Sequence, residues 1–215
     1  ACRTRSEYQD GDCVFYNTMF TEQLKYEHEL NDMFESSIKN GEFEVYLQPK
    51  ICIQGGKIGG AEALVRWNHP HRGMISPNDF IPLFEKNGRI CSLDIFVFEE
   101  VCKTISEWIE SGKKQIVISV NLSRHHFKSN DSILQLKQIA NKYKIPKNLI
   151  EIELTESIFF TDHGIEIVKE QIKTMHSMGF LCSLDDFGSG YSSLGLLMEF
   201  DVDTIKLDRR FFINI

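Results

Sequence analysis

Asp185 and Asp186 stand side by side at the end of an apolar run, Phe180-Leu181-Cys182-Ser183-Leu184, and Phe187-Gly188-Ser189-Gly190-Tyr191 follows at once. Neighbouring carboxylates repel each other, so such a pair persists where a cation neutralises it. A buried strand that delivers paired acids to a glycine-bearing loop suits a divalent-metal site at the carboxyl end of a barrel strand. Taken alone, the pair has a plainer role, with Asp186 capping a turn or helix and Asp185 solvated. The other acids of the chain tip the balance toward metal chemistry.

Those acids recur at the ends of predicted strands. Glu62 lies in the second strand, with Arg66 on the same face four residues on. Asn121 closes the third, Glu153 and Glu156 the fourth, Asp185 and Asp186 the fifth, and Lys206 the sixth. Each has a bland alternative: an edge charge for Glu62, a turn former for Asn121, a capping partner for Glu156, a strand-carboxylate partner for Lys206. Jointly those alternatives would make every polar strand end incidental. Hard oxygen donors with one neutral amide suit Mg²⁺ or Mn²⁺ and not zinc. His69, His71, His125 and His126 lack ligand spacing and read as solvated or loop-packing residues.

The elements that must position this set follow from periodicity. Leu24, Leu30, Met33, Phe34 and Ile38 form a helical stripe that stops at Asn40-Gly41. Strands over 44–53 and 58–67 meet across Gln54-Gly55-Gly56-Lys57, a hairpin, so the first two strands are antiparallel. Helices are predicted over 77–87, 92–111, 132–143 and 164–178. Between and after them lie buried strands at 115–123, 149–155, 180–186 and 202–208, which call for parallel pairing. The fold class is α/β.

Composition sets the outer bounds. The 215 residues, 42% hydrophobic and 26% charged, suit one sizeable domain with a short appendage. A formal charge of −7 excludes a broad surface for DNA or RNA polymers, though a metal-assisted site can still take a small phosphate ligand. The six cysteines are scattered, without zinc-ligand spacing, and Cys52, Cys102 and Cys182 read as buried free thiols of a reducing compartment. No apolar run reaches membrane-span length and no signal-like start is present. A cytoplasmic segment without membrane contact is expected, compatible with a tether elsewhere in a longer protein.

Glu62-Ala63-Leu64-Val65-Arg66-Trp67 resembles the signature of EAL-domain cyclic di-GMP phosphodiesterases. Tyr46-Leu47-Gln48-Pro49, Val120-Asn121-Leu122-Ser123, Glu153-Leu154-Thr155-Glu156-Ser157, the run from Asp185 to Leu194, and Ile205-Lys206-Leu207-Asp208 follow the family order. The resemblance covers residues 42–215. Residues 1–41 resemble the tail of a preceding GGDEF domain with its helical linker, without the nucleotide-cyclising signature.

The resemblance implies a TIM-like (β/α) barrel with an antiparallel first strand. It also implies cleavage of one phosphodiester of cyclic di-GMP to linear pGpG with two Mg²⁺ or Mn²⁺ ions. Glu62, Asn121, Glu153 and Asp185 would hold one ion, and Asp185 with Asp186 the second. The ions would acidify a shared water and stabilise phosphoryl charge. Glu62, Asp185 and Lys206 would form the catalytic set, Lys206 bonding the attacking water. Gln48, Leu64 and Arg66 would contact substrate, Arg66 at a phosphate. Glu156 would anchor the 188–193 loop, which the family couples to homodimerisation.

The family pattern runs on to a glutamate on a seventh strand and a glutamine near an eighth, and neither is found before Ile215. Residues 42–215 also fall short of the about 250 residues typical of a complete barrel. The expectation is therefore an incomplete barrel lacking its last two strands, with impaired chemistry and an exposed strand edge at 202–207 that invites self-association. A non-catalytic module that binds cyclic di-GMP or a protein is the competing reading. The intact acids favour the enzyme.

Overall fold

The computed structural model describes residues 18–128, 130–155, 158, 165–188 and 199–213. Its element order is α1 (Thr18–Lys39), β1 (Phe43–Cys52), β2 (Lys57–His69), β3 (Gly73–Ile75), α2 (Pro77–Asn87), α3 (Ile90–Glu110), β4 (Val117–Asn121), α4 (Asn130–Lys142), β5 (Ile150–Thr155), α5 (Ile165–Met178), β6 (Leu181–Phe187) and β7 (Thr204–Leu207). The strands form one sheet in the order β1-β2-β4-β5-β6-β7, with β3 paired to β2 off that path. The β1–β2 hairpin is antiparallel, and β2, β4, β5, β6 and β7 run parallel. Among the described residues the sheet does not close: β1 and β7 are its two edges. This is an α/β, TIM-like barrel, incomplete at the open side.

Local sequence explains the boundaries. Ser76 accepts a hydrogen bond from the Asn78 amide and Pro77 opens α2, a start that supplies a missing acceptor and a preset φ. Gly88, at φ +79°, ends the same helix in the left-handed region, where a side chain would be strained. The short β3 escapes periodicity because three residues carry no alternation. It pairs Ile75 with Trp67 and lengthens the far end of β2. The paired parts of β4 and β7 are shorter than the apolar runs that announce them.

Two apolar clusters hold the helices to the outer face of the sheet. The larger brings Ile118, Val120, Ile150, Ile152 and Cys182 against Phe98, Val101, Leu136, Ile172 and Met175 of α3, α4 and α5. Fully burying one such aliphatic side chain contributes about 1.5–3 kcal/mol. The second cluster is aromatic: Phe43 stacks on its register partner Trp67 at 4.7 Å, and Phe34, Phe80 and Phe84 of α1 and α2 close over them. Cys102 and Cys182 are buried free thiols, their ionisation pushed up to about 12, by burial first. Cys52 is exposed, contrary to its apolar sequence context. It sits at the hairpin tip, paired with Lys57.

Candidate active site

The opposite face of the same strands is polar. Alternation sends Ala63, Val65 and Trp67 of β2 to the apolar clusters and leaves Glu62, Leu64 and Arg66 on the inner face. In the same way β4 turns Ser119 and Asn121 inward, β5 Glu151 and Glu153, β6 Ser183 and Asp185, and β7 Thr204 and Lys206. Strand ends rich in acids therefore become one wall of a barrel interior.

Lys206 is the centre of that wall. Its Nζ donates to Asp185 Oδ2 at 2.7 Å, Glu153 Oε2 at 2.8 Å and Glu62 Oε2 at 3.0 Å. Burial works against the ammonium, but hydrogen bonds to Asp185 and Glu153, then the Glu153 charge and a bond to Glu62, hold its pKa well above the ordinary lysine value. Oxygens of Glu62, Glu153 and Asp185 lie within 4.8 Å of one another. Three carboxylates converging on one cationic nitrogen fit a hard divalent cation, for which oxygen donors are the preferred set. Asn121 Nδ2 donates to Glu62 Oε1 at 3.2 Å, so the neutral amide belongs to the same group.

A backbone irregularity aims the acids. In the β6–β7 pairing, Leu184 faces Ile205 and Phe187 faces Leu207, so Asp185 and Asp186 together oppose Lys206 alone. Such a bulge bends the strand and re-aims side chains. Asp186 adopts φ +53°, a left-handed conformation that aspartate tolerates better than most residues, and its amide donates to Asp185 Oδ1 at 2.8 Å. Burial, then repulsion from Asp185 and Asp208, raises the Asp186 carboxyl above its usual range. Asp186 stays exposed beside the cluster.

Gln48 lies opposite Glu62 in the β1–β2 register, and Leu64 opposite Tyr46. Arg66 rests over the Tyr46 ring at 5.8 Å and donates to the Val65 carbonyl. Leu64, Arg66, Asn121 and Thr155 line a cavity of about 290 Å³ together with Ile81 and Leu93 of α2 and α3, and Asn121, which bonds Glu62, links it to the acids around Lys206. A larger hollow of about 370 Å³, between α1 and α2, shares no residue with them. Glu156 and residues 189–193 of the loop it was expected to anchor lie outside the described residues.

Sequence reasoning missed two charged groups, Lys50, which is half-buried, and His126, which is buried. Lys50 of β1 donates to Ser119 Oγ, Glu151 Oε1 and Glu153 Oε1. His126, read as solvated or loop-packing, is buried with its Nε2 3.1 Å from Asp94 Oδ2, and the Ser123 amide donates to the same oxygen at 2.9 Å. Burial is the largest single effect and opposes the imidazolium, but hydrogen bonds to Asp94 and Cys91 and the charges of both together outweigh it, and the pKa is lifted to about 9. The residue types were visible, but their partners sit tens of residues away.

Residues 31–215 match the EAL domain. The chain belongs to the EAL-domain family. This EAL domain is 34% identical over 203 residues to the cyclic di-GMP phosphodiesterase PdeR of Escherichia coli, covering 94% of this chain and 30% of that protein. It is 31% identical over 210 residues to the bifunctional diguanylate cyclase/cyclic di-GMP phosphodiesterase MucR of Pseudomonas aeruginosa, covering 96% of this chain and 30% of MucR. The EAL domain thus spans less than a third of the length of these curated relatives. A solved PaMucR phosphodiesterase in complex with c-di-GMP superposes with a TM-score of 0.78 at 31% identity, over 85% of this chain and 73% of that one. The EAL enzyme Bd1971, bound to cAMP and cyclic-di-GMP, gives 0.79 at 29% identity, over 92% of this chain and 53% of that one.

Proposed function

We propose that this EAL domain hydrolyses one phosphodiester of cyclic di-GMP to linear pGpG, using divalent Mg²⁺ or Mn²⁺. The observation that carries the proposal is the convergence of Glu62, Glu153 and Asp185 on the single cation position that Lys206 Nζ touches. Glu62, Asn121, Glu153 and Asp185 would hold one ion, and Asp185 with Asp186 a second. Bound divalent cations supply charge stabilisation at the phosphoryl oxygens and a more acidic water.

The chain's own residues supply the rest. Arg66 stands at the cavity rim with a planar, permanently charged guanidinium matched to a phosphate. Leu64, on the same strand face, offers the ligand an apolar contact. Gln48 faces Glu62 across the hairpin and supplies neutral hydrogen-bonding capacity at that level. Lys206 is oriented by hydrogen bonds to three carboxylates. It would act as a fixed donor to the attacking water and to developing charge.

Chromatographic separation of cyclic di-GMP from pGpG tests the reading. Wild-type protein should form pGpG with Mg²⁺ or Mn²⁺, at a rate held down by the incomplete barrel, and stop when EDTA removes the ion. Asp185→Asn should be at least about 100-fold slower, since it removes charge from the ion site, where several kcal/mol of transition-state stabilisation originate. Tight binding of cyclic di-GMP with no pGpG would instead assign the domain to ligand sensing. Undiminished turnover by Asp185→Asn would remove the assigned chemistry.

A further inference from the structure

Glu153 has no exposed surface, so both of its carboxyl oxygens must find partners. The two oxygens meet different cations. Oε2 accepts from Lys206 at 2.8 Å, on the side of Glu62 and Asp185. Oε1 accepts from Lys50 at 2.8 Å, on the side of Ser119 and Glu151. One oxygen therefore faces the candidate ion position while the other is held from a separate strand.

Lys50 is built for that task. An ammonium has three donors, and Lys50 Nζ spends them on Glu153 Oε1, Glu151 Oε1 at 3.0 Å and Ser119 Oγ. Its register partner is Gly60, which places no side chain between the Lys50 stem and β4. The layer is closed by further bonds: Ser119 Oγ donates to Glu151 Oε1 at 2.7 Å, and Thr204 Oγ1 to Glu151 Oε2 at 3.3 Å. Strands β1, β4, β5 and β7 are thus tied together one layer beneath the acids that surround Lys206. Gln48 and Lys50, two residues apart on one face of β1, serve the two layers in turn.

We infer that Lys50 is a positioning residue for the ion site: with Ser119 and Glu151 it fixes Glu153 Oε1, so that Oε2 is presented to the divalent cation in one orientation. The inference rests on the proposed role of Glu153 as an ion ligand. Groups that orient metal ligands are worth about 10–100-fold in metal affinity. A competing effect has the opposite sign. Removing Lys50 alone removes a like charge from the neighbourhood of the ion, and Coulomb attraction would then tighten binding. The double variant Lys50→Met/Glu151→Gln separates the two, because it deletes one positive and one negative charge together.

Calorimetric titration of the 215-residue chain with Mn²⁺, alongside a thermal melt, is the test. The double variant should melt cooperatively and bind Mn²⁺ about 10–100-fold more weakly, while Lys50→Arg, which keeps a cationic donor, should stay within about threefold of wild type. Wild-type affinity in the double variant would overturn the positioning role, as would a double variant that no longer folds, since Lys50 would then be structural only. Glu153→Gln tests the underlying reading separately. If it binds Mn²⁺ like wild type, Glu153 is not a ligand and both ideas fall. If it loses Mn²⁺ while the double variant does not, the role of Lys50 alone is refuted.

Discussion

The two faces of the central sheet follow opposite rules although they share every strand. On β4, Ile118 and Val120 are buried among helix side chains while Ser119 and Asn121, one residue away, belong to the polar interior. On β5, Ile150, Ile152 and Leu154 alternate in the same way with Glu151 and Glu153. The outer face is governed by volume, because close-packed aliphatic groups tolerate neither voids nor excess atoms. The inner face is governed by pairing, because each buried charge must find its counter-charge. Buried ion pairs contribute little net stability against their desolvation. The inner face is therefore better read as a positioning device, and the outer face as the source of cohesion.

Substitutions at adjacent positions can break that division. Ile118→Ala should lower unfolding stability by about 2–5 kcal/mol, the range for truncating a fully buried aliphatic side chain. Urea denaturation would measure it, and the folded fraction should keep wild-type Mn²⁺ affinity. Lost ion binding with unchanged stability would show that the two faces are not separable.

His126 and Asp94 sharpen the comparison from the other side, as a buried charged pair among the outer helices. The folded pKa of His126, about 9, exceeds its unfolded value of 6.5. The His126 contribution is therefore fully present below pH 6.5 and is lost as pH rises through about 9, while burial raises the Asp94 carboxyl and works against the pair at the acid end. By linkage the loss amounts to at most roughly 3 kcal/mol. Wild-type stability should fall over that window, and His126→Gln should flatten the slope. An unchanged slope in the variant would place the titrating group elsewhere.

Arg66→Ala carries the smallest expected effect. It should raise the KM for cyclic di-GMP about tenfold, the worth of one charge-assisted hydrogen bond, with little change in melting temperature. A large drop in melting temperature would mean that its contacts with Tyr46 and the Val65 carbonyl hold the hairpin, and that the inner face contributes to cohesion after all.

Much of this was legible in the chain itself. The helix stripes, the hairpin at Gln54–Lys57 and the parallel strands follow from periodicity and turn chemistry, which are local properties. The acids at strand ends could be named for the same reason: residue type and strand parity suffice to put Glu62, Asn121, Glu153, Asp185 and Lys206 on one face. Burial at the margins was less legible. Cys52 is exposed and His126 buried because neighbours distant in sequence, not the flanking residues, decide what covers them.

Tertiary structure alone decided the pairings. Lys206 meets Glu62 across 144 positions, and Lys50 meets Glu153 across 103. No periodicity encodes such contacts, because they depend on the order of strands in the sheet and the register between them. The bulge at Asp185–Asp186 is of the same kind, visible only as two residues set against one on β7. Sequence determined which chemical groups this domain possesses and which face of each strand they occupy. Strand order and register determined that one buried carboxylate would stand between two ammonium groups, because only the assembled sheet brings those side chains within hydrogen-bonding distance.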